Sequence, residues 1–314
     1  MKFIKDFIPG EKVADIYMCK HKQAATTKNG KEYYSVILQD KTGTVDAKVW
    51  EPGGAGIDEF DATDCIDVFG EITSFNGALQ VNIKRARKCR EGEYDLSNFL
   101  PVSSKDNDEM YQELLGIIGT IENPYLKKLL EEFFIKDSAF IEAFRKSSAA
   151  KTVHHSFIGG LLEHTLSVTR LCNFMASAYP MLKRDLLLTA AICHDIGKTR
   201  ELSLFPVNDY TDQGQFLGHI VMGCEMVGEK ARNIEGFPEL LKQELQHCIL
   251  AHHGEFEYGS PKKPALMEAV ALNLADNTDA KMETFTEILK NVTTPGWQGF
   301  NKFFETNIYP TKID

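Results

Sequence analysis

Apolar and polar residues alternate along much of the first ninety positions, a period typical of β-strands. Asn29-Gly30 and Asn76-Gly77 each stand between two such runs, and Asn-Gly favours a hairpin turn because both positions need positive φ. A short helix is expected at 57–60, after the break at Pro52-Gly53-Gly54. The five predicted strands cover 13–25, 33–38, 44–50, 66–73 and 79–86. Five strands with a helix between the third and fourth are typical of a small OB-type barrel.

The apolar period changes from strand to helix after a polar, turn-rich stretch at 91–107. Asn123-Pro124, for example, is typical of a helix N-cap followed by proline in the first turn. The predicted helices cover 109–119, 124–134, 137–146, 156–178, 183–193, 215–231, 238–251 and 264–290. We therefore expect an all-β OB-type barrel at residues 1–92, a linker at 93–108 and an all-α domain at 109–314.

The overall charge excludes one class of nucleic-acid binding. The chain has 35 basic and 45 acidic residues among 314, a formal net charge of −10, so it cannot attract a polyanion through its net charge. A nucleic-acid contact needs a local basic patch, and the densest one contains Lys84, Arg85, Arg87 and Lys88. We expect this run to bind substrate phosphates, although a solvated strand edge would have the same sequence.

Aromatic residues in the predicted barrel could stack on the bases of a single-stranded nucleic acid. The candidates are Tyr33, Tyr34, Trp50, Phe69 and Phe75. Because successive strand residues point to opposite faces, about half of these rings should lie in the barrel core. The sequence does not say which of them face outward.

The chain lacks any apolar run near the roughly 18 residues that a membrane helix needs. Lys5 and Asp6 stand where a signal peptide would be apolar. The seven cysteines are scattered and never form a Cys-x-x-Cys pair, which favours reduced thiols over disulfides or a zinc knuckle. We therefore expect a cytoplasmic protein with no membrane partner. The sequence leaves the oligomeric state open, and a homo-oligomer is compatible with it.

Histidines concentrate in the helical half, where eight of the nine lie between positions 154 and 253. His194-Asp195 end the very apolar predicted helix 183–193, and a buried polar pair is costly there unless a partner satisfies it. Imidazole and carboxylate groups suit divalent Mn, Fe, Zn and related ions. Further candidates stand in four other predicted helices, at His164, His219, His252-His253 and Asp276. Each alone would most often have no function, but together they predict a metal centre among helices.

The string His-Asp-Ile-Gly-Lys at 194–198, with a histidine one helix earlier and Ala275-Asp276 later, resembles the HD-domain metal-dependent phosphohydrolases. His219 and His252 resemble the subset of that family that holds two metals. With the barrel in front, nearly the whole chain resembles the YhaM-type 3′-5′ exoribonuclease family. The matching strings are 15–17, 29–31 and 38–43 in the barrel, and the block 154–279 in the helical half.

The resemblance implies two divalent cations. Manganese is the first expectation, while ligand type alone also allows Fe, Co, Ni and Zn. One cation would bind His164, His194, Asp195 and Asp276. The other would share Asp195 and bind His219 and His252, and His253 would touch this cation, bind phosphate or orient a ligand.

The resemblance also suggests roles for the residues around these ligands. Asp195 and Lys198 would be catalytic, with the Lys198 ammonium on the phosphate, although a solvated lysine after a helix end is an equal alternative. His154 and His155 precede the first ligand helix and are candidates for contacts with the substrate phosphate. Asp279 lies three residues after Asp276, as a competing carboxylate ligand or a solvated residue.

The implied activity is hydrolysis of single-stranded RNA from its 3′ end, with single-stranded DNA as a further candidate substrate. Three alternatives remain at this point. An HD phosphohydrolase would act on nucleotides or cyclic dinucleotides instead of oligonucleotides. A non-catalytic single-strand binding protein would bind RNA without hydrolysing it, and a di-iron oxygenase would consume O₂.

Overall fold

The computed structural model describes residues 1–27, 29–75, 77–103, 105–151, 155–290, 292 and 295–311. The chain forms two compact units, Met1–Val102 and Ser103–Asp314. The division lies within 93–108, the stretch in which the sequence predicts a linker. Part of that stretch is ordered, since Phe99 is buried and its carbonyl accepts a hydrogen bond from Gln39.

The N-terminal unit is a closed five-stranded barrel with the strand order β1-β2-β3-β5-β4. Its strands are β1 (Lys12–Thr26), β2 (Glu32–Asp40), β3 (Gly43–Val49), β4 (Cys65–Phe75) and β5 (Ala78–Lys88). The pairing of β3 with β5 is parallel, and every other pairing in the barrel is antiparallel. This arrangement confirms the OB-type barrel that the alternating pattern predicted.

Inward-facing residues of the barrel alternate with outward-facing ones, as a half-buried strand requires. Val36 and Leu38 of β2 are fully buried, and Val81 of β5 meets them in the same apolar core. The prediction of a short helix at 57–60 was wrong. The backbone of this segment pairs with β5 instead, since Asp58 donates to the carbonyl of Ala86 and Ala86 donates to that of Gly56.

The second unit is helical, which confirms the change of period seen in the sequence. Its helices are α1 (Asn107–Gly119), α2 (Pro124–Phe134), α3 (Ser138–Lys146), α4 (Gly160–Ala178), α5 (Arg184–Cys193), α6 (Lys198–Glu201), α7 (Asp212–Arg232), α8 (Glu239–Leu250) and α9 (Met267–Lys290). Side chains cap several helix starts; Asn123, for example, accepts from the backbone N–H groups of Tyr125 and Leu126. The short helix α6 and a small hairpin, β6 (Phe300–Asn301) and β7 (Thr306–Asn307), were not anticipated.

Helix α5 is the centre of this unit, and every residue from Leu186 to Cys193 is buried. It packs against α4, α8 and α9, while α7 packs against α8. A group of polar residues lies where the end of α5 meets the first turns of α4, the turn after α8 and the middle of α7 and α9. Among the described residues, no helix combines the length and the apolar character needed to cross a membrane.

Candidate metal centre

The centre is built around the two residues that follow the buried helix α5. His194 is fully buried and Asp195 is 2% exposed, although both are polar. His164 reaches them from α4 and Asp276 from α9, while His219 comes from α7 and His252 from the turn after α8. The structure thus brings together all six residues that the sequence selected as metal ligands.

Four of these residues form the first half of the centre. His164 Nε2 lies 3.4 Å from Asp195 Oδ2 and 3.2 Å from Asp276 Oδ1. The two imidazoles are also close, because His164 Nε2 lies 3.2 Å from His194 Nε2. His194 Nε2 in turn lies 3.4 Å from Asp195 Oδ2. Four potential ligand atoms therefore face one small volume.

The second half lies on the other oxygen of Asp195. His219 Nε2 is 3.5 Å from Asp195 Oδ1, and His252 Nε2 is 3.7 Å from it. All three atoms are buried and have no hydrogen-bond partner among the described residues. His253 extends this half, since one ring nitrogen of each of the three histidines lies within 4.8 Å of the others. Asp195 thus presents one oxygen to each half.

The Nδ1 atom of every histidine in the centre is held from behind by an oxygen. The partners are Asp279 Oδ2 for His164 (2.7 Å), the Ala191 carbonyl for His194 (2.7 Å), Glu201 Oε1 for His219 (3.0 Å), the Ile249 carbonyl for His252 (2.7 Å) and the Tyr258 carbonyl for His253 (2.8 Å). Carbonyl and carboxylate oxygens can only accept, so Nδ1 carries the proton in each case. In the neutral imidazole Nε2 then carries a lone pair, as a metal ligand requires.

This donor set fits divalent cations. Asp195 Oδ1 faces His219 Nε2 at 3.5 Å and His252 Nε2 at 3.7 Å, and none of these three atoms has a hydrogen-bond donor among the described residues. Buried acceptors without a donor cost free energy unless a cation satisfies them. Imidazole and carboxylate ligands suit Mn, Fe, Co, Ni and Zn alike.

The electrostatics also favour cations in the centre. Burial raises the pKa of the Asp195 carboxyl, but Lys198 and the neighbouring histidines outweigh it and hold this pKa well below its usual range. Burial likewise opposes charge on His164, yet hydrogen bonds to Asp195, Asp276 and Asp279 raise its pKa well above the usual range. His164 therefore lies in a strongly negative environment. The pKa of His252 is lowered well below its usual range by burial and by the neighbouring histidines, so this ring stays neutral.

Lys198 lies one turn beyond Asp195, at the start of α6. Its Nζ atom is 2.6 Å from Asp195 Oδ2, and its side chain is 16% exposed. Burial opposes the charge on Lys198, but Asp195 raises its pKa above the ordinary value, so the side chain stays an ammonium. It is therefore a fixed positive charge at the edge of the centre and not a freely solvated lysine.

Comparison with known proteins shows which family the chain belongs to. Residues 161–281 match the family model of the HD domain. Over 294 residues the chain is 34% identical to the 3′-5′ exoribonuclease YhaM of Geobacillus sp. (strain WCH70), which covers 93% of this chain and 89% of that protein. This chain belongs to the YhaM family.

The barrel of this YhaM family member also has neighbours among solved OB-fold domains. The second OB-fold domain of replication protein A from Methanococcus maripaludis is 17% identical, covers 30% of this chain and 98% of its own, and has a TM-score of 0.22. The OB domain of Ta0387 from Thermoplasma acidophilum is also 17% identical, covers 30% of this chain and 91% of its own, and has a TM-score of 0.23. TM-scores this low carry no weight, and the barrel assignment rests on its strand pairing.

Asp279 lies behind His164 with a side chain that is 12% exposed, so it is not the solvated residue that one interpretation of the sequence gave. Its Oδ2 atom accepts from His164 Nδ1 at 2.7 Å and lies 3.0 Å from His155 Nε2. His155 itself is 1% exposed, so its position does not suit the contact with a substrate phosphate that we expected. His154, the other candidate for that contact, lies outside the described residues.

The basic run of the barrel is less available than its sequence suggested. Arg87 forms ion pairs with Glu93 at 2.8 Å and Asp67 at 3.3 Å, and Lys88 pairs with Asp64 at 2.7 Å. The guanidinium of Arg85 lies 4.7 Å above the ring of Phe69. Lys84 is exposed. The expected continuous stripe for phosphates is therefore reduced, because acidic neighbours on adjacent strands and loops compensate two of its four charges.

Two aromatic rings do face outward together on the barrel. Tyr33 and Trp50 have ring centroids 5.0 Å apart at an angle of 33°, and Trp50 is 40% exposed. The indole N–H of Trp50 donates to Asn82 Oδ1 at 3.0 Å, which fixes the ring. Tyr34 packs against the barrel core instead, and Phe75 is 63% exposed.

Sequence reasoning missed Glu201. This residue is 8% exposed and accepts two hydrogen bonds from His219, one from the backbone N–H at 2.9 Å and one from Nδ1 at 3.0 Å. A signal was present, since Asp195, Lys198 and Glu201 are spaced by three residues and can share one helical face. The spacing alone could not indicate that Glu201 contacts an imidazole from another helix.

Proposed function

We propose that this chain is a metal-dependent 3′-5′ exoribonuclease. The observation that carries the proposal is Asp195, whose two oxygens face two separate sets of imidazole Nε2 atoms at 3.4–3.7 Å. Membership of the YhaM family and the matched HD domain support the reaction class. The substrate in this proposal is single-stranded RNA.

In the proposed centre His164, His194, Asp195 and Asp276 would hold one cation, and Asp195, His219 and His252 would hold the other. His253 is available as a further ligand on the second side. Two dications against two carboxylates leave about two positive charges, which attract an anionic phosphodiester. When bound, the cations supply Lewis acidity toward phosphoryl oxygens and lower the pKa of nearby water. Manganese is the proposed metal.

In this reaction the chain's own residues hold the imidazoles in place and stabilise negative charge on the substrate. Hydrolysis adds water across the bond between phosphorus and the 3′ oxygen of the penultimate nucleotide, which releases a nucleoside 5′-monophosphate. The ammonium of Lys198, 2.6 Å from Asp195 Oδ2, is close enough to the centre to stabilise negative charge that develops on the phosphoryl group. The five Nδ1 hydrogen bonds keep the imidazole rings from rotating during hydrolysis of the phosphodiester.

The barrel would bind the RNA that extends from the reacting end. The paired rings of Tyr33 and Trp50 offer a surface for base stacking, and Lys84 offers an exposed positive charge for phosphate. Stacking and phosphate contacts do not read base identity or the 2′-hydroxyl, so single-stranded DNA is a further proposed ligand. A cytoplasmic location is proposed as well, supported by seven cysteines that are all free thiols.

Digestion of one RNA labelled at either end tests the proposed activity. With Mn²⁺, 3′-labelled RNA should release labelled mononucleotide at once, while 5′-labelled RNA should shorten gradually and keep its label. Asp195→Asn, which preserves shape and removes the bridging charge, should abolish both results. Asp108→Asn, at an exposed side chain of α1, is the matched control and should behave as wild type.

Three outcomes would contradict the proposal. Early release of nucleotide from the 5′ end would reverse the direction of digestion. Unchanged activity in Asp195→Asn would remove the metal centre from the reaction. Turnover of mononucleotides or cyclic dinucleotides with no cleavage of RNA would indicate the phosphohydrolase alternative.

A further inference from the structure

Glu201 makes two hydrogen bonds to a single residue, His219, through the same oxygen. Its Oε1 atom lies 2.9 Å from the backbone nitrogen of His219 and 3.0 Å from Nδ1 of the imidazole. The glutamate side chain is 10% exposed and the histidine side chain 13% exposed, so water competes little for either bond. One carboxylate therefore fixes both the backbone and the ring of this histidine.

A break in helix α7 makes the backbone bond available. Gly218 has φ 73° and ψ 156°, a conformation outside the helix that L-residues with a side chain rarely adopt. In a continuous helix the N–H of His219 would bond to the carbonyl four residues earlier. At this break it points to Glu201 instead.

The backbone of His219 is also held close to the loop that follows His194-Asp195. A Cβ atom added to Gly197 would lie 2.0 Å from the carbonyl oxygen of His219, so only glycine fits at this approach. Glu201 closes α6 four residues after Gly197, and its backbone carbonyl accepts from Thr211 just before α7. The glutamate and the histidine are thus tied to each other through backbone as well as side chain.

We propose that Glu201 is a positioning residue that aims Nε2 of His219 at Asp195 Oδ1, and so builds the second cation site. With Nδ1 donating to Glu201, Nε2 points to the unpaired Oδ1 atom of Asp195 at 3.5 Å. This inference rests on the two-cation centre of the proposed function. It gives Glu201 a role in the second cation site and none in the first. The first site has its own support, because Asp279 holds His164.

Manganese binding to the full chain tests this assignment without a nuclease assay. Protein stripped with a chelator is titrated with Mn²⁺ by calorimetry, and electron paramagnetic resonance distinguishes a coupled Mn²⁺ pair from a single ion. Wild type should bind two ions and show the signal of a coupled pair. Glu201→Ala should keep the first site and weaken the second by roughly 10- to 100-fold, the usual effect of losing a partner behind a ligand.

Two conservative variants separate positioning from general damage. Glu201→Gln keeps an oxygen at the same reach and should restore the coupled pair. Glu201→Asp keeps the charge but shortens the reach, and should behave like Glu201→Ala. Glu225→Ala, at an exposed glutamate of α7, the helix that carries His219, is the matched control and should bind two ions normally. If Glu201→Ala does not fold, the affinities of Glu201→Asp and Glu201→Gln for the second ion test the assignment instead.

The assignment is overturned if Glu201→Ala and Glu201→Asp bind the second ion with wild-type affinity. It is also overturned if all three Glu201 variants weaken both sites equally, or if wild type binds a single ion. Failure of the proposed nuclease activity would give a different set of results in the binding and digestion experiments. Wild type would then bind two ions, the Glu201 variants would lose one, and RNA would remain undigested.

Discussion

Asp279 Oδ2 lies 2.7 Å from Nδ1 of His164, on the side of the imidazole that faces away from Asp195. The carboxylate therefore supports a candidate ligand and is not itself among the atoms that face Asp195. It is the counterpart of Glu201, which holds His219 in the other half of the centre. Each half thus has one carboxylate behind one of its histidines, while backbone carbonyls hold the remaining three.

Removing Asp279 should weaken the first cation site. Without the acceptor, the His164 ring loses the bond that fixes its tautomer and direction, so Asp279→Ala should lower Mn²⁺ affinity by roughly 10- to 100-fold. Asp279→Asn keeps an oxygen acceptor and should lose less. Titration calorimetry measures both, with Lys281→Ala on the exposed face of α9 as the control. Equal affinity in Asp279→Ala and wild type would remove Asp279 from this role.

Lys198 should matter for turnover more than for metal binding. Its charge lies beside Asp195 but its nitrogen cannot be a ligand while it is an ammonium, so Lys198→Met should still bind two Mn²⁺ ions. The rate of RNA cleavage should fall by about 100-fold, a typical effect of losing one charge that stabilises a transition state. Lys198→Arg should recover part of the rate. Single-turnover kinetics at saturating enzyme measure the change, and an unchanged rate in Lys198→Met would argue for a purely structural ion pair.

Trp50 should contribute to RNA binding by the barrel. Loss of one stacking surface costs about 1–3 kcal/mol, so Trp50→Ala should weaken the binding of single-stranded RNA roughly 5- to 150-fold. Fluorescence anisotropy with labelled oligouridine measures this, in the Asp195→Asn background so that the RNA survives. The chain has two tryptophans, and Trp297→Ala at the other exposed indole is the matched control. Equal affinities of the Trp50 and Trp297 variants would place the RNA elsewhere.

Acid should destabilise the helical unit through Glu163. Burial raises the pKa of Glu163, but hydrogen bonds from Lys105 and Ser103 outweigh burial and lower it below its ordinary value of 4.5. A lowered pKa in the folded state stabilises the fold above the unfolded pKa, and the contribution is lost as the pH falls through the folded pKa. Glu163→Gln should therefore reduce the free energy of unfolding by about 1–2 kcal/mol at pH 7, and by less at pH 3.

Urea unfolding of the metal-free protein at both pH values measures this difference. Glu142→Gln is the control, because Glu142 forms an exposed ion pair with Lys146 one turn away and should contribute little at either pH. A pH-independent effect of Glu163→Gln would assign its contribution to packing and not to charge.

The fold and the polar pair at the heart of the candidate metal centre were predictable from the sequence for the same reason. Strand alternation and helical periodicity record which side of an element is buried, and a polar pair after the apolar helix α5 is inconsistent with burial unless something binds it. His194 and Asp195 could therefore be singled out without coordinates, and the resemblance to the HD domain added His164 and Asp276. Glu201 and Asp279 could not be assigned their partners, because each contacts an imidazole from another helix.

Two features of the barrel could not be judged from the sequence, for a related reason. The basic run from Lys84 to Lys88 looks like a phosphate-binding stripe when it is considered alone, but Asp64, Asp67 and Glu93 compensate part of it across the barrel surface. Residues 57–60 have the composition of a short helix, yet their backbone groups pair with β5. In both cases the partner is distant in the sequence.

The central claim is that Asp195 bridges two cations, and anomalous diffraction from a crystal grown with Mn²⁺ tests it most directly. The account predicts two anomalous peaks about 3.5–4 Å apart. One peak should lie near Asp195 Oδ2 with His164, and the other near Oδ1 with His219. A single peak on one side of Asp195, or two peaks that do not share this carboxylate, would contradict it.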